Sequence, residues 1–388
     1  MTQPSSKRFV MEDGYLANKG ATDTAIYDEQ IARQEGDDAT LISANAHTDS
    51  EINTLNTDLG GKRPLPNYLI NGAFDIWQRG TSLTLLTASM QSGYIADRWK
   101  SYATGTTGAS YTFSRIENTS RIPGDLGRYD MQITQNNTVV DPAHFGSIVQ
   151  VIETSDLFPI IGREVGFSGY INSNINTSIE ISIVGADAVD SSSPTTIQTF
   201  TASVVAGQWT QFSLSSLGIS WTKLTVGVQI KVNLQNAGDY IKVSRIKLEQ
   251  ASAVNYEPTA FIRNGANVAA ELATCQRYYY RTPSPSVGYP WANGYNTTTL
   301  LSTFFVQFPV PMRVAPSALE QSGTAAHFAI TNTVGAAVAC SAVPTHVSAS
   351  TRGARIATTV ATAGTAGFGS MLLANNTAAY LGWSAEIL

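Results

Sequence analysis

Six aromatic side chains fall within 18 residues: Tyr278, Tyr279, Tyr280, Tyr289, Trp291 and Tyr295, interleaved with Pro283, Pro285, Gly288, Pro290 and Gly294. Loops of this composition suit sugar recognition, because a ring face stacks on the C–H face of a pyranose while neighbouring amides bond its hydroxyls. Tyr289, Trp291 and Tyr295 are therefore the candidate ligand contacts. The other reading is that the rings fill an interface, between a helix and a second β domain or between protomers. A second concentration of chemistry is Asp75, Arg79, Asp97 and Arg98 beside Trp77 and Trp99. In a β-sandwich such residues form ion pairs and hydrogen bonds that pin an early segment to a sheet, with the indoles in the core.

Catalytic constellations find little support. Glycoside hydrolysis needs two carboxylates across a cleft, yet the last 113 residues hold only Glu320 and Glu386 as acids. Gly166-Phe167-Ser168-Gly169 is not a nucleophile elbow, since its closing glycine comes one residue early. Asp141 and His144 lack a serine partner, and no phosphate-binding glycine motif is present. His47, His327 and His346 read as ordinary helix, strand or loop residues. Cys275 and Cys340 make no metal-binding spacing and are expected to be free thiols, as in a protein made in a reducing cytoplasm. The expectation is no catalytic residue, no metal and no cofactor.

The elements that must position these residues follow from composition and period. Of 388 residues only 14% are charged, which leaves neutral hydroxyls and amides to cover the surface. A net charge of −5 argues against nucleic acid as a partner. No secretory signal is read in Met1 to Asp13, and no apolar run is long enough to insert in a membrane. The acidity is local: residues 1–66 carry six basic and eleven acidic residues, and the remaining 322 carry 18 of each.

Residues 1–66 have too few apolar groups for a core. They do carry a heptad pattern, with Ile31, Ile52 and Leu59 at one core position and Tyr27, Leu41 and Leu55 at the other. Asp38, Asn45, Gln34 and Thr48 interrupt the seam, and an Asn at a core position can fix register and oligomer state. This predicts either a short three-stranded coiled coil or, alternatively, a solvated single helix or flexible linker. Gly60-Gly61 and Pro64-Leu65-Pro66 end it.

From Asn67 the period becomes 2. Leu224, Val226, Val228, Ile230, Val232 and Leu234 alternate with polar residues. Further strands are marked by Ile179, Ile181 and Ile183, by Val165, Phe167 and Gly169, by Leu300 to Val310 and by Leu381 to Ile387. In Tyr240 to Gln250 the alternation slips near Ser244-Arg245, which predicts a β-bulge. A helix is predicted over 264–280, capped by Asn264 or Asn267, with Val268, Leu272, Cys275 and Tyr279 on its packed stripe. The fold class is mainly β: a short N-terminal helical stalk, a jelly-roll-like β-sandwich and a second, C-terminal β-sandwich. The expected divisions are 1–25, 26–66 (stalk and linker), 67–260 (first sandwich), 261–280 (connecting helix) and 281–388 (distal domain).

The run from Asn67 to Ser82, containing Asn71-Gly72-Ala73-Phe74-Asp75-Ile76-Trp77-Gln78-Arg79-Gly80, resembles the opening of a carbohydrate-binding-module-like domain common in bacteriophage tail fibres. Tyr94-Ile95-Ala96-Asp97-Arg98-Trp99 is similar to its second signature, and Lys242 to Glu249 to its closing strand. Glu271 to Tyr279 resembles the junction that follows the domain in such fibres. The resemblance covers about half the chain. It implies a phage tail fibre or receptor-binding protein: a homotrimer in the virion tail, made in the host bacterial cytoplasm, with bacterial surface polysaccharide or lipopolysaccharide as ligand. Its N-terminus would attach to tail or baseplate proteins, through Arg8, Phe9, Val10, Tyr15 and Leu16, and the trimer stalk would use Ile31, Leu41, Asn45, Ile52, Leu55 and Leu59. A structural calcium known in related jelly rolls would need an Asp in the last strand, where this sequence has Ser244 or Lys242. The rival readings are a tailspike-like glycan depolymerase and a bridging baseplate or decoration protein.

Overall fold

The computed structural model describes residues 64–387 except 88–89, 106–107, 119–126, 140, 142, 162, 216–222, 252–255, 266, 332–334 and 363. In the N-terminal region it describes residues 19, 22–26, 28–48 and 50. The chain divides into two compact units, Met1–Arg63 and Pro64–Leu388.

In the first unit, helix α1 covers residues 28–48 and is exposed on every side, Ile31 and Leu41 included. Its local support comes from a Glu29–Arg33 pair one turn apart and from the Thr40 and Thr48 hydroxyls, which donate to the carbonyls of Gly36 and Ala44. With every described residue of α1 exposed, these local interactions are what support it. Of the expected stalk positions, Ile31, Leu41 and Asn45 lie on α1. Ile52, Leu55 and Leu59 fall outside the described residues, as do the attachment positions Arg8, Phe9, Val10, Tyr15 and Leu16.

The second unit is mainly β, as its period-2 patterning predicts. One six-stranded antiparallel sheet runs, edge to edge, β1 (Ser82–Leu86), β4 (Ser110–Glu117), β5 (Tyr129–Gln135), β12 (Tyr240–Gln250), β7 (Val165–Ser173) and β10 (Thr210–Ser215). The second runs β2 (Ser92–Tyr94), β3 (Lys100–Thr104), β6 (Phe145–Ile152), β11 (Thr225–Val232), β8 (Thr177–Ala186) and β9 (Thr195–Val204). Their inner faces meet in one core that includes Trp99, Tyr111, Phe113, Phe167, Ile181, Val228 and Ile230. On β11 Val226, Val228, Ile230 and Val232 are buried while Gln229 and Lys231 are half-exposed, but the expected alternation fails at its start, where Leu224 precedes the strand and is 39% exposed and Thr225 and Gly227 are buried. A short helix, α2 (Thr154–Leu157), follows β6.

The predicted bulge is present. Pairing of β12 with β7 steps from Ser244↔Tyr170 to Lys247↔Ser168, and Arg245 takes a φ of 50°. The skipped backbone is used elsewhere, since the Ile246 N–H donates to Gly72 O at 2.8 Å.

The C-terminal half pairs a three-stranded sheet with a seven-stranded one. The first runs β13 (Tyr279–Pro283), β22 (Tyr380–Ser384) and β16 (Glu320–Gln321). The second runs β18 (Ala337–Ala339), β17 (Phe328–Thr331), β21 (Gly369–Ala374), β14 (Pro290–Asn296), β15 (Leu301–Gln307), β20 (Gly353–Thr359) and β19 (Thr345–Ser350). Their core is separate and contains Phe304, Phe308, Phe328, Ile356 and Trp383.

The connecting helix α3 (Val268–Gln276) is shorter than the predicted 264–280. Asn267 caps it, its side chain accepting the Ala270 N–H at 2.9 Å. The expected stripe is corrected: Val268 is 46% exposed, Tyr279 already belongs to β13, and the buried residues of α3 are Glu271 and Cys275. An acid occupies the buried face because Glu271 Oε1 accepts the backbone N–H of Asn71 at 2.9 Å.

Candidate functional site

The segments singled out by their motifs converge on one joint between the two β halves. Asn67 bridges the loop to the closing strand: its Oδ1 accepts from Leu69 N and Leu248 N at 3.0 and 3.1 Å, and its Nδ2 donates to Ile246 O. Asn71, at a φ of 56°, donates to the carbonyls of Ile76 and Asp97. The Trp99 indole donates to Asn71 O at 3.0 Å, and the Asp75 carboxylate accepts from Arg263 Nε at 3.1 Å. In the closing strand, buried Lys247 and Glu249 pair at 2.6 Å, and Glu249 also accepts from the Tyr256 hydroxyl and the Thr259 N–H.

Across the joint, Glu386 accepts from Arg98 and lies 3.4 Å from Arg79. Arg98 caps the Tyr278 ring at 3.6 Å and Arg79 the Tyr279 ring at 3.4 Å. Glu153 holds Arg277 through both oxygens at 2.9 Å and accepts the Tyr278 hydroxyl at 2.8 Å. Arg313 pairs with Asp190 at 2.9 Å and donates to the carbonyls of Ala385 and Glu386. Burial pushes the Asp97 carboxyl up to about 6, against the opposing pull of Arg79 and the Gln78 amide. Burial likewise pushes Glu271 up to about 7, opposed by the Asn71 N–H and Arg263. Asp75, Arg79, Asp97 and Arg98 thus tie elements together, as their structural reading predicts.

The aromatic run is split three ways. Tyr278 and Tyr279 are buried in the joint, and Tyr280 stacks on Trp383 with centroids 6.1 Å apart. Trp291 packs on Phe328 at 5.6 Å against the C-terminal core. A register shift between Pro290 and Ala292 on β14 puts Trp291 on the side opposite Tyr295. Tyr289 and Tyr295 are exposed, Tyr295 beside Thr303 and Gly369 on the outer face of the seven-stranded sheet. The three candidate contacts therefore do not share one surface.

A different cleft is better furnished. On the outer face of the second six-stranded sheet, a cleft of about 270 Å³ is lined by Tyr102 and Thr104 of β3, Phe145, Ser147 and Val149 of β6, Val184 of β8 and Gln229 of β11, with Ser192, Ser193 and Pro194 from the β8–β9 loop. Tyr102 sits opposite Ser147, and Thr104 opposite Phe145, so the two rings are diagonal neighbours. Lys231 lies 4.4 Å from the Phe145 ring and 3.6 Å from Glu180, and Lys100 lies 5.3 Å from the Tyr102 ring. Both cations are thus engaged by rings or an acid. The lining contains no carboxylate. Sequence reading passes over these residues because they come from four strands far apart in the chain. The signal within each strand is an aromatic at a wet-face position, Tyr102 between Ser101 and Ala103 and Phe145 two before Ser147.

Both cysteines are buried free thiols. Among the described residues no group of three or more His, Cys, Asp or Glu is placed to hold a metal ion, and no helix is long and apolar enough to cross a membrane. His144 is buried, with Nε2 at 2.7 Å from Leu234 O.

No protein-family model matches the chain, and no curated protein matches it. Among solved structures it is similar to a CBM4 module, at 12% identity and a TM-score of 0.29 over 46% of this chain and 97% of that one. It is similar to the enzymatically active domain of tailspike protein 4 of bacteriophage CBA120, at 14% identity and a TM-score of 0.31 over 47% of this chain and 21% of that one. A third likeness is to TmCBM61, solved with β-1,4-galactotriose, at 10% identity and a TM-score of 0.28 over 47% of this chain and 98% of that one. These neighbours are carbohydrate-binding modules and a phage tailspike domain. Likenesses at this level say nothing of ligand or activity, which must be read from the residues of the cleft.

Proposed function

We propose that the protein is a glycan-binding, non-catalytic component of a phage virion tail, and that the cleft over Tyr102 and Phe145 takes a neutral sugar unit of a bacterial surface polysaccharide or lipopolysaccharide. The observation that carries the reading is two aromatic rings, Tyr102 and Phe145, lining a cleft whose other polar lining is hydroxyl and amide: Thr104, Ser147, Ser192, Ser193 and Gln229. Rings recognise the apolar face of a pyranose and hydroxyls its edges. At about 270 Å³ the cleft suits a short saccharide unit. Its lining supplies neither of the two carboxylates of glycoside hydrolysis, which favours retention over cleavage.

Placement in the tail, attachment by the N-terminal segment and a homotrimeric stalk rest on the resemblance of the Asn67–Ser82 and Tyr94–Trp99 segments to tail-fibre modules. The exposed Ile31 and Leu41 of α1 support self-association. Three weak sites on one trimer would add up through effective concentration.

The test is a glycan array and titration calorimetry with the full chain. Phe145→Ala and Tyr102→Ala should each weaken neutral-saccharide binding about five- to tenfold, on the scale of ~1–1.4 kcal/mol for a lost ring contact. Unchanged binding in both variants, with the fold intact by circular dichroism, would refute the assignment of this cleft. Release of new reducing ends from host polysaccharide would favour the depolymerase instead.

A further inference from the structure

The distal half leaves two charges uncommitted, and both stand in one cleft. Residues 276–388 contain seven charged side chains: Arg277, Arg281, Arg313, Arg352, Arg355, Glu320 and Glu386. Five are engaged. Glu386 holds Arg98 and Arg79, and Glu320 accepts the Tyr279 hydroxyl at 2.8 Å. Arg277 pairs with Glu153 and Arg313 with Asp190, while Arg281 lies over the Tyr380 ring at 3.6 Å and donates to Arg79 O.

Arg352 and Arg355 are exposed and make no ion pair among the described residues. They line a cleft of about 640 Å³ with Phe305, Gln307, Ser348 and Ser350. The β register puts Met371, Asn293, Phe305, Arg355 and Ser348 in one row across five neighbouring strands. Phe305, at 58% exposure, thus has a guanidinium on one side and an amide on the other. Arg352 sits in the turn between β19 and β20, at the end of the same face.

A phenyl ring left in water beside two arginines and several hydroxyls is matched by a flat ligand with one apolar face and an anionic group. Guanidinium binds carboxylate or phosphate in fork geometry. We propose that the outer face of the seven-stranded sheet binds a saccharide carrying a carboxylate or phosphate ester, with Arg352 and Arg355 pairing with the anion and Phe305 receiving the apolar ring face. This site is separate from the neutral cleft over Tyr102 and Phe145 and does not depend on it.

The test titrates the full-length protein at low ionic strength with trigalacturonate against its methyl ester, and with mannose 6-phosphate against mannose. At least one anionic probe should bind about tenfold tighter than its neutral counterpart. The pair that shows the preference identifies carboxylate or phosphate as the source. In R352Q/R355Q the preference should vanish, while in Phe145→Ala it should persist, so failure of either site is read independently. Both arginines are exposed, so the melting temperature of the double variant should match that of the parent. Equal affinity within both pairs, or a preference that survives R352Q/R355Q, would overturn the proposal. So would a change in oligomeric mass of the double variant by light scattering, which would mean that the arginines face another copy of the chain.

Discussion

Glu386 and Arg98 are 288 positions apart, yet each is nearly sealed from solvent, with side-chain exposures of 0% and 2%. Besides the carboxylate, the Arg98 guanidinium donates to Val151 O at 2.6 Å and lies over the Tyr278 ring. Neither replaces a negative charge. Removing one partner of a buried ion pair leaves the other desolvated and uncompensated, at a cost of about 3–5 kcal/mol. Glu386→Ala should therefore lower the urea midpoint of the β unit strongly, while Glu386→Gln, which keeps an acceptor, should lower it less. Joint replacement of both partners by apolar side chains should recover much of the loss. If Glu386→Ala unfolded at the parent midpoint, the pair would contribute nothing to the joint.

At the scale of elements, the motif-bearing loop from Asn67 to Arg79 and the bulged strand β12 define each other. A Cβ on Gly72 would lie 2.1 Å from Ile246 O, a backbone atom in the middle of the bulge. Gly72→Ala must then separate the loop from the strand and break the Ile246 N–H bond to Gly72 O. The expected loss is about 1–3 kcal/mol, the range for overpacking a closed site, and a thermal melt unchanged by the substitution would count against the pairing. The bulge was legible because apolar spacing slips visibly between Val243 and Ile246, and β11 because its period is strict. The α3 stripe was misread, since periodicity assigns Val268 to the packed face and cannot register that Glu271 is drawn in by a backbone donor 200 residues away. The candidate site was less legible. Trp291, Tyr289 and Tyr295 are neighbours in sequence, but one extra residue in β14 turns Trp291 to the core. The Tyr102–Phe145 cleft exists only once β3, β6, β11 and β8 are ordered side by side, and strand order is what a single sequence states least.

At the scale of the whole molecule, charge is divided rather than sparse, and the division sets the response to pH. Residues 1–66 carry the net −5 and no Trp, while the later residues are balanced and hold all six Trp, so indole fluorescence reports on the β unit alone. In that unit Asp97 and Glu271 hold their protons more tightly than in the unfolded chain, at about 6 against 3.8 and about 7 against 4.5. Asp97 faces Arg79, Gln78 and Glu386, and Glu271 faces Arg263, Asp75 and the Asn71 N–H. For a group whose folded pKa is raised, the folded state binds more protons between the two values, so stability falls as pH rises through that window. The contribution is complete below about pH 4 and lost by about pH 7, with a total on the order of 3 kcal/mol per group at most. The midpoint followed by Trp fluorescence should thus decline from pH 5 to pH 7. Glu271→Gln cannot ionise and keeps an oxygen for the Asn71 N–H, so its decline should be shallower and its stability at pH 7.5 should match or exceed that of the parent. A parent midpoint that rose over this interval, or a Glu271→Gln slope equal to the parent's, would show that the buried acid does not govern the joint.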